Sequence, residues 1–217
     1  MPDVGSRPAA APRTTLGHLL DAANLLTLAG VLSSTLAILF ALNAEFAAAA
    51  IGLVFAFFFD VVDGPVAKRL HGRTADDRAF GANLDSLADI VSAGVALGVV
   101  FLAYGDFEAA FAPGAFLLVG AAALRLAYFN VHGLDGASDS YAGLPTDLVI
   151  ISFVAVMLLD ETLSRDAFQV VLYTTVVVLA GLMVSGLPIP KFTGRSYYAV
   201  TGLALALALA HTAQMIA

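Results

Sequence analysis

The stretch AANLLTLAGVLSSTLAILFALNA, residues 22–44, contains no charged side chain. Two further runs, 167–190 and 196–217, are also free of charge, and the three runs are 22 to 24 residues long. About 20 apolar residues allow a helix to cross the hydrocarbon core of a bilayer, and a helix satisfies its own backbone hydrogen bonds there. These runs predict a polytopic, all-α integral membrane protein.

The overall composition agrees with this prediction. Of the 217 residues, 60% are hydrophobic and only 12% are charged, whereas soluble domains carry about 25% charged residues. The chain has no cysteine, which excludes disulfides, thiolate metal sites and a thiol nucleophile. The net charge is −7, but in a membrane protein the location of charge matters more than its sum; we expect membrane lipids as partners and no nucleic acid.

Seven apolar segments follow one another without an evident internal repeat. They cover about 19–42, 46–67, 81–104, 109–130, 144–159, 168–187 and 197–215. We interpret them as six core transmembrane helices plus a seventh, C-terminal segment. Residues 1–17 are expected to form a flexible cytoplasmic tail, and 18–217 a single membrane domain.

The basic residues predict the orientation. If the N-terminus is cytoplasmic, nine of the ten lysines and arginines lie on or near the inner side, and only Arg165 lies outside. Such an excess is the usual mark of the cytoplasmic side. The pattern predicts a cell-membrane protein with its N-terminus inside and the loop 68–80 in the cytoplasm.

Four aspartates interrupt the second and third apolar segments. Asp60 and Asp63 are three residues apart, and Asp85 and Asp89 are four apart, so each pair lies on one face of its helix. Ionisable residues within membrane helices are costly and are read as functional by default. A position at the membrane interface would explain a single aspartate of this kind. It explains less well two pairs of aspartates, each on one helical face and both at the same depth in the membrane.

If the two faces are opposed, four carboxylates surround one point and their repulsion has to be relieved. Oxygen ligands favour Mg²⁺ or Mn²⁺, and two metals about 3.5–4 Å apart are a known arrangement in phosphoryl displacement. Gly64, Ala67 and Gly81 flank the aspartates and leave room for a bulky phosphorylated ligand. The sequence therefore predicts two divalent cations in a site that faces the cytoplasm.

The pattern Asp60-x-x-Asp63-Gly64-x-x-Ala67-Lys68, followed by Gly81-x-x-x-Asp85-x-x-x-Asp89, resembles the signature of the CDP-alcohol phosphatidyltransferase family. The resemblance implies that the first three aspartates bind two metals that hold the diphosphate of a CDP-lipid. It implies that Asp89 is the general base for the acceptor hydroxyl, with CMP leaving. Gly64, Ala67, Lys68 and Gly81 would contact the CDP-lipid, with Lys68 standing where the family usually has Arg.

Several stretches are similar to the phosphatidylserine synthase branch of the family. They are Leu84–Ser92, Leu124–Asn130, Gly143–Pro145, Leu182–Ser185 and Asn24–Thr27. The chain departs from that branch after Ser92 and after Pro145, where Thr146 and Asp147 replace a Pro- and Ala-rich run. The resemblance favours L-serine as acceptor and leaves glycerol phosphate, inositol phosphate or another alcohol as alternatives.

Other residues have less specific signals. Arg125 and Asn130 are candidates for binding the acceptor or a phosphate, and snorkelling to the interface is the alternative role of Arg125. Gly181 and Gly186 suggest close helix packing or a homodimer interface. A cation- or proton-coupled transporter that uses the four aspartates is the alternative function, although no repeated halves are evident.

Overall fold

The structure is a computed structural model that describes residues 14–132, 140–191 and 195–216. Within these residues six helices are long and apolar enough to cross a membrane, which confirms the predicted helical membrane bundle. The helices are α1 (Thr15–Leu19), α2 (Ala22–Leu42), α3 (Phe46–Arg69), α4 (Ala75–Asp89), α5 (Leu97–Tyr104), α6 (Ala112–His132), α7 (Thr146–Met157), α8 (Arg165–Met183) and α9 (Arg195–Ile216). Many large apolar side chains, such as Phe116 at 74% and Val170 at 68% exposure, point outward, as expected for surfaces in contact with lipid.

Helices α2 and α3 form the most extensive helix–helix contact in the described part of the chain. A Cβ added at Gly52 of α3 would lie 3.0 Å from the Ala37 Cβ and 3.1 Å from the Ser33 carbonyl oxygen on α2. Small residues at such contacts let helix backbones approach closely in membranes. The contact fixes the height of α3 relative to α2 and so places the aspartates of α3.

The third long helix is continuous from Ala75 to Tyr104, but its middle is wound differently. Residues Ile90–Ala96 form a π-helical stretch between α4 and α5. Ser92 within it donates a hydrogen bond to the Ala88 carbonyl, 3.0 Å, and its Oγ lies 2.8 Å from the Ser34 Oγ on α2. The wider turn starts directly after Asp89, and π-helical turns often occur at functional sites.

The segment predicted as the fifth span contains an apolar helix that is shorter than any of the six candidate spans. α7 has 12 residues and follows a strand, β1 (Ser140–Ala142), which pairs antiparallel with β2 (Pro188–Pro190). Between β1 and α7, the Gly143 N–H donates to the Leu187 carbonyl and the Leu144 N–H to the Leu182 carbonyl, both at 2.9 Å. The start of α7 is therefore attached to the end of α8.

The C-terminal segment forms a full-length helix against the bundle. α9 packs on α3 and α7, and the Tyr197 hydroxyl donates a hydrogen bond to the Val61 carbonyl on α3, 3.0 Å. Deeper in the bundle, the buried His211 ring lies 3.1 Å from the Val154 carbonyl on α7. The seventh segment thus forms one side of the bundle, next to α3.

Residues 1–13 of the predicted N-terminal tail lie outside the described part of the chain, and residues 14–17 form the N-cap and the start of α1. Thr14 caps α1 by accepting a hydrogen bond from the Gly17 N–H, so residues 15–17 are helical. His18 is buried and stacks on Phe80 at 4.3 Å between ring centroids, which holds α1 against α4.

A Cβ added at Gly181 or Gly186, where a close helix contact was expected, would have no neighbouring atom within 4 Å, so a dimer role for these glycines stays a prediction.

Replacement of Gly143 by alanine tests the link between α7 and α8. Gly143 has φ of +75°, and an added Cβ would lie 2.3 Å from the Met183 carbonyl oxygen. The backbone conformation alone costs alanine about 1–3 kcal/mol, so Gly143→Ala should lower the melting temperature, measured by circular dichroism in detergent, by several degrees. Gly181→Ala, a helical glycine with open space around it, should be neutral or slightly stabilising. Equal melting temperatures for the two variants would contradict this interpretation.

Candidate active site

The four predicted aspartates come together, and a fifth joins them. Oxygen atoms of Asp60, Asp63 and Asp85 lie within 4.8 Å of one another, and so do oxygen atoms of Asp60, Asp89 and Asp147. Asp60 belongs to both triads. The acidic faces of α3 and of the third span therefore oppose each other, which is the condition that the sequence analysis set for a four-carboxylate site.

Helix α2 supplies the hydrogen bond that orients Asp63. The Thr27 hydroxyl donates to the Asp63 Oδ2 at 2.5 Å, and both side chains are buried. One turn earlier, Asn24 donates to the His18 carbonyl, 2.9 Å. The close α2–α3 packing thus gives one carboxylate a neutral donor, which is the partner a buried carboxylate needs.

Asp89 is held from the α7 side. The Thr146 hydroxyl, at the first position of α7, donates to the Asp89 Oδ2 at 2.9 Å. On the same helix as Asp89, the Ser86 hydroxyl lies within 3.1 Å of the Asn130 Oδ1 on α6. Asn130 therefore lies near the site. Among the described residues it is hydrogen-bonded to Ser86 and to none of the aspartates.

Asp147 is the site residue that sequence reasoning missed. It lies next to Thr146 in the first turn of α7, and its Oδ1 is buried without a hydrogen-bond partner in the described part of the chain. Its only signal in the sequence is an acidic residue at the start of an apolar segment, directly after Gly143-Leu144-Pro145-Thr146. The turn at Gly143 brings it to Asp60 and Asp89.

A cavity of about 500 Å³ opens beside Asp63 and Asp85, between α2, α3 and α4. All four residues predicted to contact the CDP-lipid line it: Gly64, Ala67, Lys68 and Gly81. Arg73 and Arg78, which the sequence analysis did not assign, line it as well, and the Arg73 Nε is 2.8 Å from the Asp21 Oδ2. The cavity therefore joins three cationic side chains to the edge of the aspartate cluster, which suits an anionic ligand.

Arg125 faces the other side of the cluster. Its side chain is only 7% exposed, it interacts electrostatically with Asp89 and Asp147, and its guanidinium lies 5.9 Å from the Phe129 ring centroid. Its Nε is buried without a hydrogen-bond partner among the described residues. An arginine that snorkels would be exposed at its tip, so the geometry favours the ligand-binding alternative.

The chemistry of the cluster fits divalent cations. Each triad offers three hard oxygen ligands from aspartate, and the chain has no cysteine to supply a thiolate, which matches the preference of Mg²⁺ and Mn²⁺. Five carboxylates this close repel one another strongly. The two groups share Asp60 and together bring the four predicted aspartates close to one another, which agrees with the predicted pair of cations.

Comparison with known proteins gives relatives at moderate identity. An archaetidylserine synthase of Methanothermobacter thermautotrophicus is 32% identical over 172 residues, which cover 79% of this chain and 70% of that protein. A CDP-diacylglycerol–serine O-phosphatidyltransferase of Methanocaldococcus jannaschii is 31% identical over 155 residues, covering 70% and 68%. An enzyme of the same name from Helicobacter pylori is 31% identical over 175 residues, covering 78% and 71%.

The family model for CDP-alcohol phosphatidyltransferase matches residues 20–187. The match contains the four aspartates and both glycines of the signature, and it ends before α9. Together with the triads on α3 and α4, it identifies the protein: the chain belongs to the CDP-alcohol phosphatidyltransferase family.

Proposed function

We propose that the protein transfers the phosphatidyl group of CDP-diacylglycerol, or of a related CDP-lipid, to the hydroxyl of L-serine and releases CMP. The observation that carries the proposal is the pair of aspartate triads sharing Asp60 at the edge of a cation-lined cavity. The names of the relatives support serine as acceptor. Family membership favours transfer over the transporter alternative.

In this proposal the cavity between α2, α3 and α4 holds the cytidine diphosphate part of the donor. Lys68, Arg73 and Arg78 lie along its wall and would contact the anionic diphosphate. Because Gly64 and Gly81 carry no side chain, the cavity reaches the backbone of α3 and α4 and leaves room for bulky phosphate groups. The cavity opens on the side of the bundle that the basic loop 68–80 predicts to be cytoplasmic.

Asp60, Asp63 and Asp85 would hold one divalent cation, and Asp60 and Asp89 would contribute to a second. Bound cations would neutralise the charge of the diphosphate as CMP leaves. Mg²⁺ and Mn²⁺ both suit the oxygen ligands. These assignments follow the family signature and the grouping of the carboxylates.

Asp89 is proposed as the general base. Its carboxylate takes the proton of the serine hydroxyl, the serine oxygen forms a bond to the phosphorus that carries the diacylglycerol, and the bond from that phosphorus to CMP breaks. A hydroxyl is a poor nucleophile until a positioned base accepts its proton. The Thr146 hydroxyl, 2.9 Å away, holds one Asp89 oxygen in place. Arg125 is proposed to bind the acceptor carboxylate through its fork of donors.

The first experiment measures CMP release by the purified protein with CDP-diacylglycerol and Mg²⁺ or Mn²⁺. Serine should be a better acceptor than glycerol phosphate or inositol phosphate. Asp89→Asn should lower kcat about 10²- to 10⁴-fold, the usual contribution of a general base, while Asp166→Asn, at an exposed position, should leave kcat unchanged. Release that depends on another acceptor would exclude the serine assignment, and full activity of Asp89→Asn would exclude Asp89 as the base.

The shared position of Asp60 gives a prediction about metal binding. Mn²⁺ at a hundred times its dissociation constant should stabilise the protein by about 2.7 kcal/mol, seen as a higher melting temperature. Asp60→Asn should raise the melting temperature without metal, since one repelling charge is gone, and should remove most of the protection by Mn²⁺. Asp166→Asn serves as the matched control. Full protection of Asp60→Asn would contradict a bridging role for this residue.

Replacement of Gly64 tests the location of the donor site. A Cβ at Gly64 has no atom within 4 Å and points into open space beside the cavity that Gly64 lines. Gly64→Leu should therefore fold normally and raise the KM for CDP-diacylglycerol about tenfold or more. Gly120→Leu, at a helical glycine with equally open surroundings but outside this cavity, should leave the KM unchanged. An unchanged KM in Gly64→Leu would place the donor elsewhere.

A further inference from the structure

A second chamber, of about 210 Å³, adjoins the aspartate cluster on the other side of α3. Its walls come from α3, the β1–α7 connection and α9, whereas the larger cavity is formed by α2, α3 and α4. Asp60 and Asp147 both line this chamber. The chamber thus contains Asp60, which belongs to the family signature, and Asp147, which does not.

The charge and size of the chamber limit its ligand. Its polar wall consists of the two carboxylates and the hydroxyl-bearing residues Tyr141, Tyr197 and Thr201, and no cationic side chain lines it among the described residues. Drug-sized ligands occupy pockets of about 300–1,000 Å³, so 210 Å³ suits a small polar molecule. An anionic molecule would meet carboxylates there, and a cationic group would be attracted.

Asp147 is in the position to hold that cationic group. Two divalent cations would balance four of the five negative charges of Asp60, Asp63, Asp85, Asp89 and Asp147, and the fifth faces Arg125, which in the proposed reaction also has to balance the carboxylate of the acceptor. The buried Asp147 Oδ1 has no hydrogen-bond donor in the described part of the chain. The buried Arg125 guanidinium, which faces Asp89 and Asp147, likewise has an Nε without a partner among the described residues.

We infer that this chamber admits the acceptor, and that Asp147 binds its ammonium group, so that the enzyme selects amino alcohols over anionic alcohols. The inference rests on the proposed transfer to a hydroxyl. Serine carries its ammonium and hydroxyl groups on adjacent carbons, and oxygen atoms of Asp147 and Asp89 lie within 4.8 Å. An ammonium group on Asp147 therefore places the hydroxyl beside the proposed base, while the carboxylate extends beyond the chamber to Arg125, which interacts with Asp89 and Asp147.

The helix α9 contributes the outer wall of the chamber. Tyr197, Val200 and Thr201 line it, and the bond from the Tyr197 hydroxyl to the Val61 carbonyl fixes α9 on α3. This helix lies beyond residues 20–187, which the family model matches. Acceptor selection in this chain thus depends on two features outside the shared signature, Asp147 and α9.

The test compares L-serine with L-glycerate, in which a hydroxyl replaces the ammonium group. Asp147→Asn should raise the KM for serine about ten- to a hundredfold, as expected for a lost charge-assisted hydrogen bond, with kcat changed less than threefold. The ratio of kcat/KM for serine over glycerate should fall by a similar factor. Calorimetric titration of the Mn²⁺-loaded protein with serine in the presence of CMP should show the same loss of affinity, and Asp166→Asn should match the wild type.

Four results would overturn the inference or part of it. Loss of Mn²⁺ protection in Asp147→Asn would make Asp147 a metal ligand, and an equal loss for serine and glycerate would make it a positioning residue. A wild-type enzyme that prefers glycerol phosphate to serine would also overturn it, together with the serine assignment. If Asp147→Asn stays active with serine and its ratio of kcat/KM for serine over glycerate is unchanged, the role of Asp147 alone is overturned.

A second variant tests the chamber without removing a charge. Thr201→Phe adds bulk at a chamber-lining position of α9 and leaves all five aspartates in place. It should raise the KM for serine at least about fivefold, while the KM for CDP-diacylglycerol and the protection by Mn²⁺ stay unchanged. An unchanged KM for serine would show that the acceptor enters by another route.

Discussion

The structure depends on the cost of holding five carboxylates together between apolar helices. Like charges a few ångströms apart repel by several kcal/mol even at an effective dielectric constant of about 20, and burial adds a desolvation penalty. The repulsion is concentrated at Asp60, because this residue belongs to both triads. A helix bundle without divalent cations would keep this repulsion, so binding of the proposed cations would both complete the site and stabilise the fold.

The surrounding elements hold the carboxylates in place against this repulsion. Close α2–α3 packing at Gly52 sets the Thr27 hydroxyl on Asp63, and the first turn of α7 sets the Thr146 hydroxyl on Asp89. Each donor lies on a different helix from the carboxylate it holds. The π-helical stretch after Asp89 and the left-handed turn at Gly143 are departures from regular geometry, and both lie directly beside the site they position.

The sequence was sufficient for the features that depend on local spacing. Asp60 with Asp63, and Asp85 with Asp89, are each neighbours on one helical turn, so their shared faces follow from the helical period alone. Asp147 could not be found this way, because its place in the cluster depends on where α7 begins in space, which the turn at Gly143 and its bonds to α8 determine. The π-helical stretch likewise has no local signature in Ile90–Ala96, since it is stabilised by contacts with α2 and α6.

The side chains that line the two cavities differ in charge between the two sides of α3. On one side Lys68, Arg73 and Arg78 line the larger cavity, and on the other Asp60 and Asp147 line the smaller one. In the proposed reaction the anionic diphosphate would be stabilised on the first side and the ammonium group on the second, so donor and acceptor would approach the cluster from different directions. Phosphoryl transfer requires the attacking and leaving oxygens to lie roughly in line. In the proposed reaction, the difference in charge between the two sides of α3 would help to select the two substrates and to align them.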